Sequence, residues 1–213
     1  MVSQSKRGIS ALELSKQIGR RYETAWHLLH KIRRVMSERE AERLLEGMVE
    51  MDDAYFGGVS HGRVGRGTAQ AAAVVAVSIG REGTPAFGRI VLLPDLRRES
   101  GDDAAKRILA EGAHVLTDGL GTFRGLSDLG FKHQVVPGGN LLGEDDRDPF
   151  PYVHTFISNA KAWINGTFHG LGRRHLQSYL NEFSYRFNRR WGEDRIFERL
   201  LRACVAHQPL VVS

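Results

Sequence analysis

Cysteine is almost missing from this chain, whose 213 residues include one, Cys204. A single cysteine excludes an internal disulfide framework and a cysteine-rich zinc site. Long apolar runs are missing too, because the longest, AAAVVAVSI, is too short to span a membrane and suits a buried strand. The first residues, MVSQSKRG, lack the apolar stretch of a signal peptide. These absences predict a cytoplasmic protein that does not associate with a membrane.

Positive charge is concentrated towards the two ends of the chain. The net charge is +5, and 41% of the residues are hydrophobic, which is enough for a substantial core. Residues 1–45 carry ten Lys or Arg against five Glu, and residues 165–205 carry eight Arg against four acidic residues. Basic flanks around an acidic centre suit a protein that binds a phosphate backbone and cuts within it. Solvated helix faces are the alternative explanation.

The first 46 residues predict two helices joined by a tight turn and followed by a connector. Gly19 is the expected end of the first helix. Apolar residues recur at helical spacing, with Ile9, Leu12, Leu14 and Ile18 in the first helix and Ala25, Leu28, Leu29 and Ile32 in the second. This pattern indicates a helix-turn-helix DNA-binding segment over residues 1–46. A plain helical hairpin that packs on the next domain is the alternative.

Several basic or polar residues are candidates for contacts with double-stranded DNA. In and beside the expected recognition helix these are Arg20, Arg21, Thr24, Lys31, Arg33 and Arg34. Arg63 and Arg66 lie in GGVSHGRVGRG, which predicts either a flexible clamp on DNA or a solvent-exposed hairpin loop. A late helix adds Arg173, Arg174, Arg186, Arg189 and Arg190 as candidates for a DNA track.

From about residue 47 the apolar pattern changes from helical to strand-like. Strands are predicted at MVEMDDAYF, AAAVVAVSIG, GRIVLLPDL, HVLTDG and FKHQVVPGG, with a helix from Ser100 or Asp102 to Gly112 before the fourth. Three helices follow at VHTFISNAKAWING, HLQSYLNEFSYRFNRRW and DRIFERLLRACVAH, and Trp26, Trp163 and Trp191 are expected in the core. A three-stranded meander followed by alternating elements is the order of an RNase H-like fold. We therefore expect an α/β protein whose residues 47–213 form an RNase H-like mixed sheet flanked by helices.

Two aspartates belong to predicted strands or follow them directly. Asp52 lies within MVEMDDAYF, and Asp118 follows AHVLT. An unpaired carboxylate is costly to bury, so an apolar strand that carries one implies a cation or a hydrogen-bonded partner. For either aspartate alone, a capping or turn role is the alternative. In an RNase H-like order the two together favour a metal site.

The third candidate ligand comes from the helix VHTFISNAKAWING. His154 and Lys161 are two helical turns apart and lie within about 20° of each other, on one flank of the apolar arc. Asn159 lies on the other flank, so His154 is the better partner for Lys161. A cap at the helix N-terminus is the alternative role for His154, and proton transfer near neutral pH is another.

Two carboxylates and an imidazole can hold divalent ions against a DNA phosphate. Magnesium prefers oxygen ligands, and a histidine shifts the preference towards softer ions such as manganese. We therefore expect Mg²⁺ or Mn²⁺ at Asp52, Asp118 and His154, with Lys161 holding a phosphate as a point charge.

Together these motifs resemble bacterial insertion-sequence transposases of the DDE type, in the group that has a helix-turn-helix and usually an N-terminal zinc ribbon. The matching segments are GISALELSKQIG with TAWHLLHKIR, VEMDDAYFGG, TDG, GTFHG and HLQSYLNEFSYRFNRR. The resemblance implies an RNase H-like catalytic domain that cuts element ends and joins them to target DNA, acting as a homo-oligomer with divalent metal. By matching motifs, Asp52 and Asp118 correspond to the first two acidic ligands, and Lys161 to the basic residue two turns after the third.

Two features depart from that family pattern. The third ligand is commonly Glu, whereas His154 occupies the position here, with Asn159 as the alternative. No cysteine cluster precedes Gly8, which indicates either a truncated reading frame or a lineage without the ribbon. The alternative function is therefore a catalytically inactive relative that only binds DNA.

Overall fold

The structure is a computed structural model that describes residues 7–57, 70–136, 148–168 and 171–207. It begins with two helices, α1 (Ala11–Ile18) and α2 (Tyr22–Ala41). Ser10 caps α1 by accepting a hydrogen bond from the backbone N–H of Glu13, and Gly19 ends it in the left-handed conformation at φ 62°. The two predicted helices and their tight turn are therefore present. Their DNA-binding role as a helix-turn-helix stays a prediction.

A five-stranded mixed sheet forms the centre of the molecule. Its strands are β1 (Met48–Phe56), β2 (Ala71–Ile79), β3 (Pro85–Leu92), β4 (His114–Thr117) and β5 (Lys132–Val135), in the spatial order β3-β2-β1-β4-β5. The first three strands are an antiparallel meander, whereas β4 runs parallel to β1 and β5 runs parallel to β4. This mixed α/β architecture agrees with the RNase H-like fold that the order of elements predicts.

Four further helices complete the described fold. They are α3 (Arg98–Ile108), α4 (Pro151–Thr167), α5 (Arg173–Phe187) and α6 (Ile196–Ala206). The predicted bounds of α3 were wrong at both ends. The helix starts early because Asp95 accepts hydrogen bonds from the backbone N–H of Arg97 and the hydroxyl of Ser100, which shapes the preceding turn. It ends early because Leu109 is extended and forms a β-bridge with Leu45.

The sheet separates two hydrophobic cores. On one face, alternate residues of the central strands pack under α4 and α5, and on the other face the remaining ones pack against α3. The apolar arc of α4 meets the sheet as its helical spacing predicts, through Val153, Phe156, Ala160, Trp163 and Ile164. Because side chains alternate along β1, Ala54 and Phe56 face α4, and so do Glu50 and Asp52.

The second helix, α2, is tied to α5 by buried charges. The Arg33 guanidinium lies 2.7 Å from the Glu182 carboxylate, and both side chains are 2% exposed. Arg186 of α5 pairs with the same carboxylate. Helix α2 therefore packs against the sheet-bearing part of the chain, and a domain boundary at residue 46 stays a prediction. No helix in the described ranges is both long enough and apolar enough to cross a membrane.

Of the three tryptophans predicted in the core, Trp26 is half-buried outside the hydrophobic clusters of the described residues, and Trp191 is exposed. Trp191 follows α5 in a 3-10 turn and is 82% exposed, so the prediction that it is buried was wrong. Trp163, by contrast, is buried among Phe168 and Phe183. The difference reflects helix phase, because Trp163 is on the apolar arc of α4 and Trp191 lies beyond the end of α5.

Candidate active site

Asp52 and Asp118 come from adjacent parallel strands. Strand β1 is in register with β4 at Glu50 and Leu116, and each aspartate lies two residues further along its strand direction. Equal displacement from a paired position brings the two carboxylates side by side on the face of the sheet that packs against α4. Asp118 accepts a hydrogen bond from the backbone N–H of Leu120 at 3.0 Å, which closes the turn after β4. The turn role and the site role of Asp118 are thus compatible.

The carboxyl group of Asp52 lies in a largely desolvated position. Burial raises the pKa of Asp52 above its ordinary value. The backbone N–H of Asp53, at 2.8 Å, and the imidazole of His154 both oppose that rise, whereas the nearby Asp118 charge adds to it. A buried carboxyl group with a second carboxyl group beside it favours the approach of a cation.

His154 projects from the first turns of α4 towards Asp52. Its Nε2 lies 3.3 Å from Oδ2 of Asp52, and its Nδ1 lies 2.8 Å from Oδ2 of Asp148. An ionised carboxylate can only accept a hydrogen bond, so this contact requires the tautomer in which the Nδ1–H group of His154 donates a hydrogen bond to Asp148. In a neutral ring, Nε2 then presents its lone pair to the space beside Asp52. His154 is therefore the residue of α4 that meets Asp52, while Asn159 is exposed on the helix.

Asp148 was not foreseen as a site residue. Its Oδ1 accepts a hydrogen bond from the backbone N–H of Phe150 at 2.9 Å, and its Oδ2 contacts His154. The dipeptide Asp148-Pro149 is a turn signal and was the only indication in the sequence. That signal predicts a turn before the helix but does not predict a contact with the imidazole.

Glu50 fixes the start of α4 against the sheet. Its Oε2 accepts hydrogen bonds from the backbone N–H groups of Tyr152 at 2.9 Å and Val153 at 2.8 Å. These N–H groups belong to the first helical turn, where no intrahelical acceptor exists. Burial raises the pKa of Glu50, and the two backbone hydrogen bonds oppose that rise. Because Glu50 is two residues before Asp52 on the same face of β1, this contact sets the position of His154 next to Asp52.

Lys161 lies further along α4 and is exposed. Two turns of helix separate it from His154 by about 10 Å. Its Nζ is 5.9 Å from the ring centroid of Phe56, and it lines a pocket of about 160 Å³ together with Tyr55 and Asn165. Lys161 therefore lies beside the end of β1, where it lines this recess.

No metal centre is fully assembled among the side chains that the structure describes. In those ranges no three His, Cys, Asp or Glu residues form a group that could hold a metal ion. The contacts are pairwise, from His154 to Asp52 and from His154 to Asp148. The expected ligand set of Asp52, Asp118 and His154 thus stays a prediction.

The candidate DNA-contacting residues in and beside α2 are on the surface, except Arg33. Arg20, Arg21, Thr24 and Lys31 are exposed, and Arg34 is exposed and paired with Glu38. The expectation that Arg33 contacts DNA is corrected, because its guanidinium is buried against Glu182 and stacks on Tyr179. Arg63 and Arg66 lie outside the described residues.

The proposed DNA track on α5 is also corrected at three arginines. Arg186 pairs with Glu182, Arg189 pairs with Glu40, and Arg190 donates hydrogen bonds to the backbone carbonyls of Pro85 and Ala86. These guanidinium groups stabilise the packing of α5 against α2 and β3.

Comparison with known families gives a match to the central part of the chain. The family model described as the ISXO2-like transposase domain matches residues 44–188, about two thirds of the chain. The matched region starts just before β1 and includes all four candidate site residues, whereas α1 and α2 precede it. No curated protein matches the chain.

Proposed function

The chain belongs to the family of ISXO2-like transposase domains, which are insertion-sequence transposases of the DDE type, and from this premise we propose that it cleaves and joins DNA strands with divalent metal. Asp52, Asp118 and His154 are the proposed metal ligands. Lys161 is the proposed contact to a DNA phosphate. The observation that carries this proposal is the approach of His154 Nε2 to within 3.3 Å of Asp52, beside the adjacent strand that bears Asp118.

The chemistry of these side chains fits a divalent cation. Two carboxylates supply oxygen donors, and the proton on Nδ1 leaves Nε2 of His154 as a nitrogen donor facing Asp52. Asp148 then has the role that a carboxylate commonly has behind a metal-bound histidine, where it fixes ring orientation and tautomer. One nitrogen among oxygen donors favours Mn²⁺ over Mg²⁺.

The metal would polarise the scissile phosphate and activate a water molecule or a 3′-hydroxyl group. Asp52 must lose its proton to serve as a ligand, and its raised pKa means that metal binding and proton release are coupled. Glu50 and Asp148 keep His154 in place before the metal arrives. Lys161, beside the end of β1, holds a phosphate of the strand being cut.

The remaining DNA contacts belong to the N-terminal helices. We propose that α1 and α2 bind double-stranded DNA at the element ends through Arg20, Arg21, Thr24 and Lys31, all of which are exposed. The protein would act there as a homo-oligomer, a state that light scattering with and without end DNA would reveal.

A cleavage assay tests the proposal. Purified protein with Mn²⁺ or Mg²⁺ is incubated with a duplex that carries the inverted repeats flanking its reading frame, and nicked and joined products are separated on denaturing gels. Asp52→Asn and Asp118→Asn should abolish both products without changing thermal unfolding by more than a few degrees. The matched control is Asp103→Asn, an exposed aspartate of α3, which should retain activity.

Each outcome has one interpretation. Full activity in Asp52→Asn would refute the proposed site. DNA binding without any metal-dependent cleavage by the wild type would show a DNA-binding relative instead of a transposase. Cleavage without joining would restrict the function to a nuclease.

A further inference from the structure

A second charged surface lies outside the proposed active site. An open cleft of about 880 Å³ is formed between the connector after α2, strand β3 and helices α5 and α6. Four arginines line it, Arg39, Arg43, Arg189 and Arg199. We call this surface the arginine cleft.

Two of these arginines lie over aromatic rings. The guanidinium of Arg43 lies 4.1 Å from the ring centroid of Phe87, and that of Arg189 lies 3.6 Å from the ring centroid of Tyr185. A guanidinium group over a ring can still donate hydrogen bonds from its N–H groups. Those of Arg43 have no hydrogen-bond partner within the described residues, whereas Arg189 donates to Glu40 and to the backbone carbonyl of Tyr185. A stacked arginine also loses less conformational freedom when it binds an anion, since its orientation is already fixed.

The balance of charge in the cleft is positive. Arg39 pairs with Glu42 at 3.2 Å, and Arg189 pairs with the buried Glu40. Within the part of the chain that the structure describes, Arg43 and Arg199 have no acidic partner, and Glu46 at the rim is the one other acidic residue of the lining. Two guanidinium groups therefore lack a counter-charge. Small-molecule pockets are mostly apolar, so this lining suits a polyanion better.

The cleft is remote from the proposed active site. Glu46, which lines the cleft, precedes β1, and within β1 the strand runs about 13 Å from Met48 to Asp52. Asp52, Asp118, His154 and Lys161 are not among the residues that line the cleft. A duplex contacted here would therefore be bound at a point separate from the phosphate being cut.

We propose that the arginine cleft binds the phosphate backbone of double-stranded DNA, with Arg43 and Arg199 as the principal contacts. The identification of the polyanion as DNA rests on the proposed function. Planar guanidinium groups match the geometry of phosphate oxygens, and backbone contacts of this kind contribute affinity without reading the sequence.

Fluorescence anisotropy with a labelled 20-base-pair duplex tests the inference across a series of salt concentrations. The variant is Arg43→Gln with Arg199→Gln, and the matched control is Arg107→Gln with Arg124→Gln, two exposed arginines outside the cleft. Each phosphate contact contributes about 0.9 to the slope of log affinity against log salt. We expect the cleft variant to lose about 1.8 of slope, which corresponds to binding about 60-fold more weakly at 0.1 M salt if the affinities are equal at 1 M salt. Arg43→Lys with Arg199→Lys keeps the charge and should restore the slope.

Three results would overturn the inference. The first is a slope in the cleft variant equal to that of the control, in protein whose thermal unfolding is unchanged. The second is loss of slope in the lysine variant as well, because phosphate neutralisation depends on charge. The third is tighter binding of a labelled polyglutamate peptide than of the duplex, which would assign the cleft to an acidic protein partner.

The cleavage function is tested separately in the same preparations. Asp52→Asn, at a proposed metal ligand that does not line the cleft, should lose cleavage whether or not the cleft binds the duplex. If the wild type does not bind DNA at all, the proposed function fails with the inference. If the wild type binds and the cleft variant matches it, only the inference fails.

Discussion

Glu50 of the central strand accepts a hydrogen bond from the backbone N–H of Val153, 103 residues later in the chain, at 2.8 Å. The same oxygen accepts from Tyr152, so one carboxylate binds two N–H groups of the first turn of α4. The helix dipole favours a negative charge at this end. This contact joins the strand that carries Asp52 to the helix that carries His154.

Removing the Glu50 carboxylate should destabilise the fold. Glu50→Ala leaves two buried N–H groups without an acceptor, and we expect a loss of about 1–3 kcal/mol in the free energy of unfolding, measured with urea. Glu50→Gln keeps an acceptor oxygen at the same place and should remain within about 1 kcal/mol of the wild type. Equal stability of the alanine and glutamine variants would contradict an anchoring role.

Arg33 should contribute to stability and not to DNA binding. Arg33→Met leaves the buried Glu182 paired with Arg186 alone among the described residues, and loss of one member of a buried pair costs about 3–5 kcal/mol. The exposed neighbour Arg34→Met should change stability by no more than about 0.5 kcal/mol. Urea unfolding measures both variants. A smaller slope of log affinity for DNA against log salt in the folded Arg33→Met protein would contradict this prediction. It would indicate that Arg33 contacts DNA.

Local patterns in the sequence were sufficient for most of the fold. The alternation in MVEMDDAYF predicts β1 with the bounds Met48–Phe56 that the structure has, and the apolar arc of α4 faces the sheet as its spacing requires. The ends of α3 were predicted wrongly because they depend on Asp95 and on the bridge from Leu45 to Leu109, which are not periodic signals.

The contacts of the site that the sequence did not predict are mostly made with residues far away in the chain. The strand pattern indicates that the carboxylates of Glu50, Asp52 and Asp118 are costly to bury in or next to strands. It does not show which partner offsets that cost for each of them. Val153 compensates Glu50 from a distant helix, and Asp148 contacts His154 from a turn. The burial of Arg33 likewise depends on Glu182, 149 residues away. A single sequence carries no direct signal for such pairs.

The stability of the protein should depend on the ionisation of Asp52. Its pKa is raised in the folded state, so the associated stability is present below the ordinary pKa of Asp and is lost as pH rises through the folded value. Asp52→Asn should therefore raise the melting temperature at pH 7 in metal-free buffer, and the gain should vanish as pH falls below the ordinary pKa. Calorimetric scans over this pH range measure the difference in melting temperature between Asp52→Asn and the wild type. A difference that grows towards low pH would contradict the prediction.

Bound metal should make the wild type more stable than Asp52→Asn, the opposite of the order expected in metal-free buffer. A ligand at a hundred times its dissociation constant stabilises the folded state by about 2.7 kcal/mol. Saturating Mn²⁺ should therefore raise the melting temperature of the wild type and leave Asp52→Asn nearly unchanged. An equal rise in both proteins would place the ion elsewhere.

Asp148 should control metal affinity without touching the metal. Asp148→Ala removes the acceptor of the Nδ1 proton of His154, and loss of such a partner typically lowers metal affinity 10–100-fold. Asp148→Asn keeps an acceptor oxygen and should recover much of the affinity. Calorimetric titration with Mn²⁺ measures all three proteins. Unchanged affinity in Asp148→Ala would show that the contact does not orient the ring.

The choice between His154 and Asn159 as third ligand can be decided on the same helix. Nε2 of His154 faces Asp52 at 3.3 Å, whereas Asn159 is exposed on a different side of α4. His154→Ala should therefore lower Mn²⁺ affinity at least about tenfold, and Asn159→Ala should leave it unchanged. Both variants keep the Glu50 anchor, so a difference between them reflects the ligand and not the position of the helix. A loss of Mn²⁺ affinity in Asn159→Ala but not in His154→Ala would mean that α4 rotates when the metal binds, and that Asn159 completes the site.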